Sequence, residues 1–298
     1  MFNDILGNEE VKQELQQIIK SNKLSHSYLF VGTEGIGKKL IAKEFSKMIL
    51  CLSDEKYCNS CKSCIKFDSS NNPDFQIIEP DGNSLKIDQI RQMQRKVIEA
   101  PIISEKKVYI IDNADSMTTE AQNCLLKTLE EPPEFVHIIL IGSNESNFLT
   151  TIKSRCTILK FKDIDDEKIK KYVRMKYGTD IPENMLQLAQ GSIGKAEILK
   201  DKQELYNTIY EIAESIDKLD LIDFLKKSEE IYNYTNEKIE ILDNMNVVFY
   251  NKSKEGFRFL NCISIIETAK KRLMSNGNFN MCIDNMLFNL WEEIHWKI

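Results

Sequence analysis

Lys38 follows the last glycine of the run Gly32-Thr33-Glu34-Gly35-Ile36-Gly37-Lys38-Lys39. Glycines at Gly32, Gly35 and Gly37 let backbone N–H groups approach phosphate oxygens closely. A helix N-terminus adds partial positive charge, and the Lys38 ammonium adds a full one. This chemistry suits ATP or ADP. The next position departs from the pattern. A Ser or Thr hydroxyl would hold Mg²⁺ there, and the ammonium of Lys39 has no lone pair to give a metal. The phosphate cradle is kept and the metal ligand is gone, so nucleotide binding stays open while hydrolysis at this site is expected to be lost.

A second acidic motif supports the first. Asp112 ends the apolar run Val108-Tyr109-Ile110-Ile111, where phosphate-loop ATPases place the Asp that holds Mg²⁺ through water. The position that would supply a Glu to activate the attacking water is Asn113. A carboxamide cannot accept that proton near neutral pH, and losing a general base costs about 10²–10⁴ in rate.

Cys51, Cys58, Cys61 and Cys64 form C-x6-C-x2-C-x2-C. Four thiolates suit tetrahedral Zn²⁺, and C-x2-C spacing lets two ligands from one turn reach one ion. The intervening Ser53-Asp54-Glu55-Lys56-Tyr57 is too polar for this cluster to be an ordinary apolar core. Zinc with four protein ligands is structural, and an iron–sulfur cluster is the alternative. Cys124, Cys156, Cys262 and Cys282 read as apolar or half-buried residues.

These residues need a scaffold. Tyr28-Leu29-Phe30-Val31 before the glycine loop reads as a buried strand, and Ile41, Phe45, Met48 and Ile49 after it mark one helix face. Further strands are expected over 75–79, 108–112, 136–141 and 157–161, with helices over 9–21, 86–98 and 119–131. Pro132-Pro133 stops the last of these. Short apolar strands alternating with helices predict a parallel sheet covered on both faces. Beyond about residue 163 only helical patterns remain: 165–177, 182–190, 192–201, 205–216, 219–232, 238–250, 257–274 and 280–294. Trp291 and Trp296 are expected to anchor the last helix in its core. Asn144 is either a polar sensor of a γ-phosphate or a turn residue.

The 298 residues predict two or three domains. A net charge of −6 argues against tight, sequence-independent DNA binding by this chain alone. The first ten residues lack a basic segment and an apolar core, and no apolar run approaches a membrane span. A cytoplasmic chain without membrane contact is expected, with its eight cysteines free or metal-bound. None of His26, His137 and His295 forms an obvious pairing with a candidate Ser or Cys nucleophile, so no hydrolase triad is expected.

Together these segments resemble the delta-prime subunits of the bacterial clamp loader, part of the DNA polymerase III holoenzyme. The likeness runs through Leu24-Ser25-His26-Ser27-Tyr28-Leu29-Phe30, Gly35-Ile36-Gly37-Lys38, the cysteine insert and Asn72-Pro73-Asp74. It continues through Ile87-Asp88-Gln89-Ile90-Arg91, residues 123–133, Thr151-Ile152-Lys153-Ser154-Arg155-Cys156 and Gly191-Ser192-Ile193-Gly194-Lys195-Ala196. The resemblance implies an α/β fold: an AAA+ P-loop core at 1–163 with a zinc-binding insert at 51–64, a helical lid at 164–204, and an all-α collar at 205–298. It implies that Arg155 is an arginine finger acting in trans on a neighbour's ATP site. It also implies that Gly194 stands where working loader subunits carry a second sensor Arg. With Lys39 and Asn113, three catalytic positions then depart together. The expected role is a stator that assembles with the loader's ATPase subunits and delta subunit and helps place the sliding clamp on primed DNA. The alternative is an ATP-hydrolysing motor subunit of the same loader.

Overall fold

The computed structural model describes residues 2, 4–82, 84–256 and 259–296. Phe257, where the sequence pattern begins a helix, lies outside the described residues, as do Met1 and Asn3 of the N-terminal stretch. The chain divides into two compact units: Met1–Ile169 with Gly191–Gly194, and Lys170–Gln190 with Lys195–Ile298.

The first unit is built on five parallel strands: β1 (Ser27–Val31), β2 (Phe75–Ile78), β3 (Lys107–Ile111), β4 (Val136–Gly142) and β5 (Thr157–Lys160). Their order is β2-β3-β4-β1-β5, so β4 is inserted between β1 and β3. Leu29 lies opposite Leu140 on one side and Ile158 on the other, and Ile110 lies opposite Ile139. The strands β1, β3 and β4 are buried along their whole length, whereas the edge strands β2 and β5 are partly exposed. That is why the inner strands read as unbroken apolar runs.

Helices α1 (Glu9–Ser21), α2 (Lys38–Leu50), α3 (Lys62–Asp68), α4 (Ile87–Val97), α5 (Thr119–Glu130) and α6 (Thr150–Lys153) complete this unit. Alternation along β1 sends its side chains to opposite faces. Leu29 joins a core with Ile111, Leu140, Ile90, Met93, Leu125 and Leu129, which seats α4 and α5. On the other side Tyr28 meets Phe45 of α2 edge to face at 5.2 Å.

From residue 166 the described chain is helical: α7 (Asp166–Tyr177), α8 (Glu183–Ala189), α9 (Ile193–Asp201), α10 (Gln203–Ser215), α11 (Leu221–Lys226), α12 (Ser228–Ile231), α13 (Lys238–Glu255), α14 (Leu260–Met274) and α15 (Phe279–Trp296). In the second unit Tyr206, Ile209, Phe224, Ile241, Phe249, Ile266 and Leu287 are fully buried.

Two expectations are corrected here. The single helix read over 219–232 is α11 and α12, followed by a 3₁₀ segment over Tyr232–Glu237 with Tyr234 outside helical geometry. Apolar spacing places Phe224 and Ile231 inward but does not report where hydrogen bonds tighten from α to 3₁₀. Trp296 is 75% exposed and anchors no core, because it falls at the end of α15 past the last buried position, Ile294. Trp291 is half-buried and donates its Nε1–H to the Leu219 carbonyl at 3.1 Å. The short helices α3 and α6 have too few residues for a periodic signal.

Candidate functional site

The glycine loop joins β1 to α2, at the carboxyl ends of the parallel strands where such sheets bind ligands. Lys38 folds back onto the loop, donating to the carbonyls of Gly32 at 2.5 Å and Thr33 at 2.7 Å. Burial lowers its pKa, and attraction to Asp115, Glu34 and Asp112 only partly offsets this. Gly35 has a φ of +77°, and its carbonyl accepts the Gly194 N–H at 2.9 Å. A Cβ on Gly35 would come within 2.3 Å of Ser192 Oγ, and one on Gly194 within 3.0 Å of Gly35 Cα. The two backbones approach closely here, and a Cβ at either position would make its neighbours shift.

Lys39 leaves the first turn of α2 toward the ends of two strands. Its ammonium lies 2.8 Å from Asp112 Oδ2, just past β3, and hydrogen-bonds Glu79 Oε1, just past β2. Burial opposes the Lys39 charge, but the hydrogen bonds and attraction from Asp112 and Glu79 outweigh it and raise the pKa. Glu79 is correspondingly held below the usual carboxylate range by its hydrogen bond to Lys39. Mg²⁺ takes oxygen ligands in an octahedron. Here the carboxylate that would serve it is paired with a cation, and the hydroxyl position is that cation. These residues do not fit Mg²⁺.

Around Asp112 the chain turns sharply. Asn113 adopts a left-handed φ of 47°, a conformation Asn tolerates well. Its N–H donates to Asp112 Oδ1 at 3.1 Å. Asp115, which sequence reasoning did not single out, accepts from Ser143 N, Ser143 Oγ and Asn144 N at 2.9, 2.6 and 3.2 Å. It thereby ties the ends of β3 and β4 together. The Asn144 amide oxygen accepts from Ser146 N at 2.9 Å and Ser146 Oγ at 2.7 Å, which is turn chemistry.

Arg155 makes its contacts elsewhere, just past the end of α6. Its guanidinium donates to Thr151 O at 2.9 Å and pairs with Glu130 Oε1 at 2.7 Å. Buried Gln122 sets this segment against α5: its Oε1 accepts from Leu149 N at 2.9 Å and its Nε2 donates to Asn147 O at 2.9 Å. Gln122 was the second residue missed, and its signal is a polar side chain on the inward stripe shared with Leu125 and Leu129.

The four insert cysteines converge, with all Sγ atoms within 4.8 Å of one another. Cys51 and Cys58 sulfurs lie 3.6 Å apart, close to the separation of about 3.8 Å that ~2.3 Å zinc–sulfur bonds impose on a tetrahedron. Backbone N–H groups of Cys61 and Cys64 point at Cys58 Sγ and Cys61 Sγ, at 3.3 and 3.4 Å. Hydrogen bonds from the Ser60 and Cys61 backbone hold the Cys58 thiol down to about 6, while burial pushes Cys51 and Cys64 up. Four sulfurs converging from one short insert make a donor set suited to a tetrahedral metal cation. All eight cysteines are free of disulfides.

The parallel sheet in this order, the glycine loop after β1 and the aspartate after β3 define a P-loop protein of the AAA+ class. The chain belongs to the family described as DNA polymerase III, delta subunit, whose family model matches residues 7–165. The delta-prime resemblance read from the sequence is borne out. The chain is 39% identical over 160 residues to the DNA polymerase III subunit delta' of Bacillus subtilis, covering 53% of this chain and 49% of that protein. It is 33% identical over 223 residues to the DNA polymerase III subunit gamma/tau of Mycoplasma pneumoniae, covering 72% of this chain and 32% of that protein. It thus spans about half the length of the first relative and a third of the second. Among solved structures, a DNA polymerase III gamma subunit-related protein of Thermotoga maritima shares the fold. Its TM-score is 0.59 at 19% identity, over 95% of this chain and 99% of that one. No described helix is long and apolar enough to cross a membrane.

Proposed function

We propose that this chain is a stator of the DNA polymerase III clamp loader. It joins the loader's ATPase subunits and delta subunit, lends Arg155 to a neighbouring ATP site, and does not hydrolyse ATP itself. One contrast carries this reading: Arg155 is an accessible guanidinium, while the chain's own metal position holds Lys39 against Asp112. Family membership supports the assembly partners and, through them, the sliding clamp and primed DNA. Zn²⁺ in the Cys51, Cys58, Cys61 and Cys64 site would brace the insert, with no open position for chemistry. Gly32, Gly35, Gly37 and Lys38 form the cradle for the phosphates of ATP or ADP. We assign residues 1–163 to the core, 164–204 to the lid and 205–298 to the collar, and the whole to the cytoplasm.

In trans, Arg155 would stabilise charge developing on the γ-phosphate, an effect of about 10³–10⁵ in rate where such fingers act. The test is Arg155→Ala in a reconstituted complex. Assembly should persist and ATP turnover should fall. Unchanged turnover and clamp loading would remove the assignment.

The motor-subunit reading has one observation in its favour: the gamma/tau match covers more of this chain than the delta' match does. ATP turnover by the isolated chain that is lost on Lys38→Ala would establish it.

A further inference from the structure

Asp112 and Glu79 come from the ends of adjacent strands β3 and β2, and both face the Lys39 ammonium. Asp112 is only 14% exposed at its side chain, so the attraction across 2.8 Å is less screened than in an open surface pair. Lys39 also occupies the sequence position from which a hydroxyl would reach the metal. Place in the sequence and place in space therefore coincide.

We propose that Lys39 is a tethered monovalent cation standing where other phosphate loops hold a divalent metal, so that this loop takes phosphate groups without Mg²⁺. The ammonium bridges Asp112 and Glu79 and offsets one of their two negative charges without any ion from solution. A divalent ion approaching either carboxylate meets a positive charge already hydrogen-bonded to it. The ligand class is a nucleotide's phosphates in their metal-free form. Lys38 holds the loop carbonyls of Gly32 and Thr33 with two hydrogen bonds, and an ammonium has three donors. This deepens the reading that the chain's own hydrolysis is lost, and it does not depend on Arg155.

The test uses the purified full chain with its bound metal retained, so Mg²⁺ is omitted from the buffer and no chelator is added. Binding of a fluorescent ATP analogue and the melting temperature are each measured with and without Mg²⁺ at matched ionic strength. Wild type and Lys39→Arg should give the same values in both buffers. Lys39→Thr restores a hydroxyl and frees both carboxylates, so Mg²⁺ should tighten its analogue binding by about 10-fold or more and raise its melting temperature. A wild-type chain whose binding or melting depends on Mg²⁺ overturns the proposal. So does a folded Lys39→Thr that responds to Mg²⁺ no more than wild type. ATP turnover on the same samples separates the two readings. Turnover with no Mg²⁺ dependence of binding overturns lost hydrolysis alone, and Mg²⁺-dependent binding without turnover overturns the tethered cation alone.

Discussion

The Arg155 guanidinium pairs with Glu130 Oε1 at 2.7 Å, joining a residue two past the end of α6 to the last residue of α5. Both side chains are partly exposed, at 33% and 48%, and a pair this open is worth about 0–1 kcal/mol. Glu130 is thus a weak tether, able to release the guanidinium to a stronger anion. Glu130→Gln should change the stability of the isolated chain by less than about 1 kcal/mol and turnover by an assembled complex by less than about 5-fold. Urea melts and ATP turnover check both. A loss of turnover as deep as that of Arg155→Ala would mean that Glu130 positions the guanidinium for its work.

The cysteine insert should report its metal directly. Cys64 is buried at the start of α3, and the Cys61 sulfur accepts its N–H. Cys64→Ala should abolish bound metal and cost more than about 3 kcal/mol, as expected when a structural metal is lost. Cys124→Ala, outside the cluster, should retain one metal per chain. Elemental analysis and urea melts of both variants decide this.

His137 makes stability depend on pH. Burial lowers its pKa to about 4, while its Nδ1 hydrogen-bonds Ser25 O at 2.9 Å and Nε2 has no hydrogen-bond partner among the described residues. A histidine in the unfolded chain titrates near 6.5, so the unfolded state takes up a proton first as pH falls. The stabilisation is complete above about pH 6.5, declines below it and is gone near pH 4, for a total of about 3 kcal/mol. His137→Asn should be less stable than wild type at pH 7.5, and that gap should narrow at pH 4.5. Urea melts at the two pH values give the difference, and a constant gap would contradict it.

Asp74 is a buried anchor. Its carboxylate accepts backbone N–H bonds from Ile102, Ile103 and Ser104 at 2.6, 2.7 and 2.7 Å. Asn72 in the same motif donates to Ser63 O at 3.0 Å, which ties α3 of the insert to this loop. Asp74→Ala leaves those donors unpaired and should cost about 3 kcal/mol or more, whereas Asp74→Asn keeps one acceptor and should cost about 1–2 kcal/mol. Denaturant titration of the two variants tests the ranking.

By itself, the sequence determined the local elements and the chemistry they carry. Unbroken apolar runs specified β1, β3 and β4 because each is buried on both faces. Glycine spacing specified the loop after β1, and C-x2-C spacing specified the cysteine cluster, because those contacts lie within a few residues. Tertiary structure decided which distant groups meet. Lys39 reads as the loss of a metal ligand until the parallel crossovers bring Asp112 and Glu79 to its ammonium. Gly194 reads as a lost sensor until its N–H is found on the Gly35 carbonyl, where a Cβ would press on the Gly35 backbone. Gln122 and Asp115 carried no motif because the groups they tie in, Asn147 and Leu149 for one and Ser143 and Asn144 for the other, lie more than twenty residues away. Periodicity reports how one segment meets the core. The partners of a polar side chain depend on strand order, which no single segment encodes.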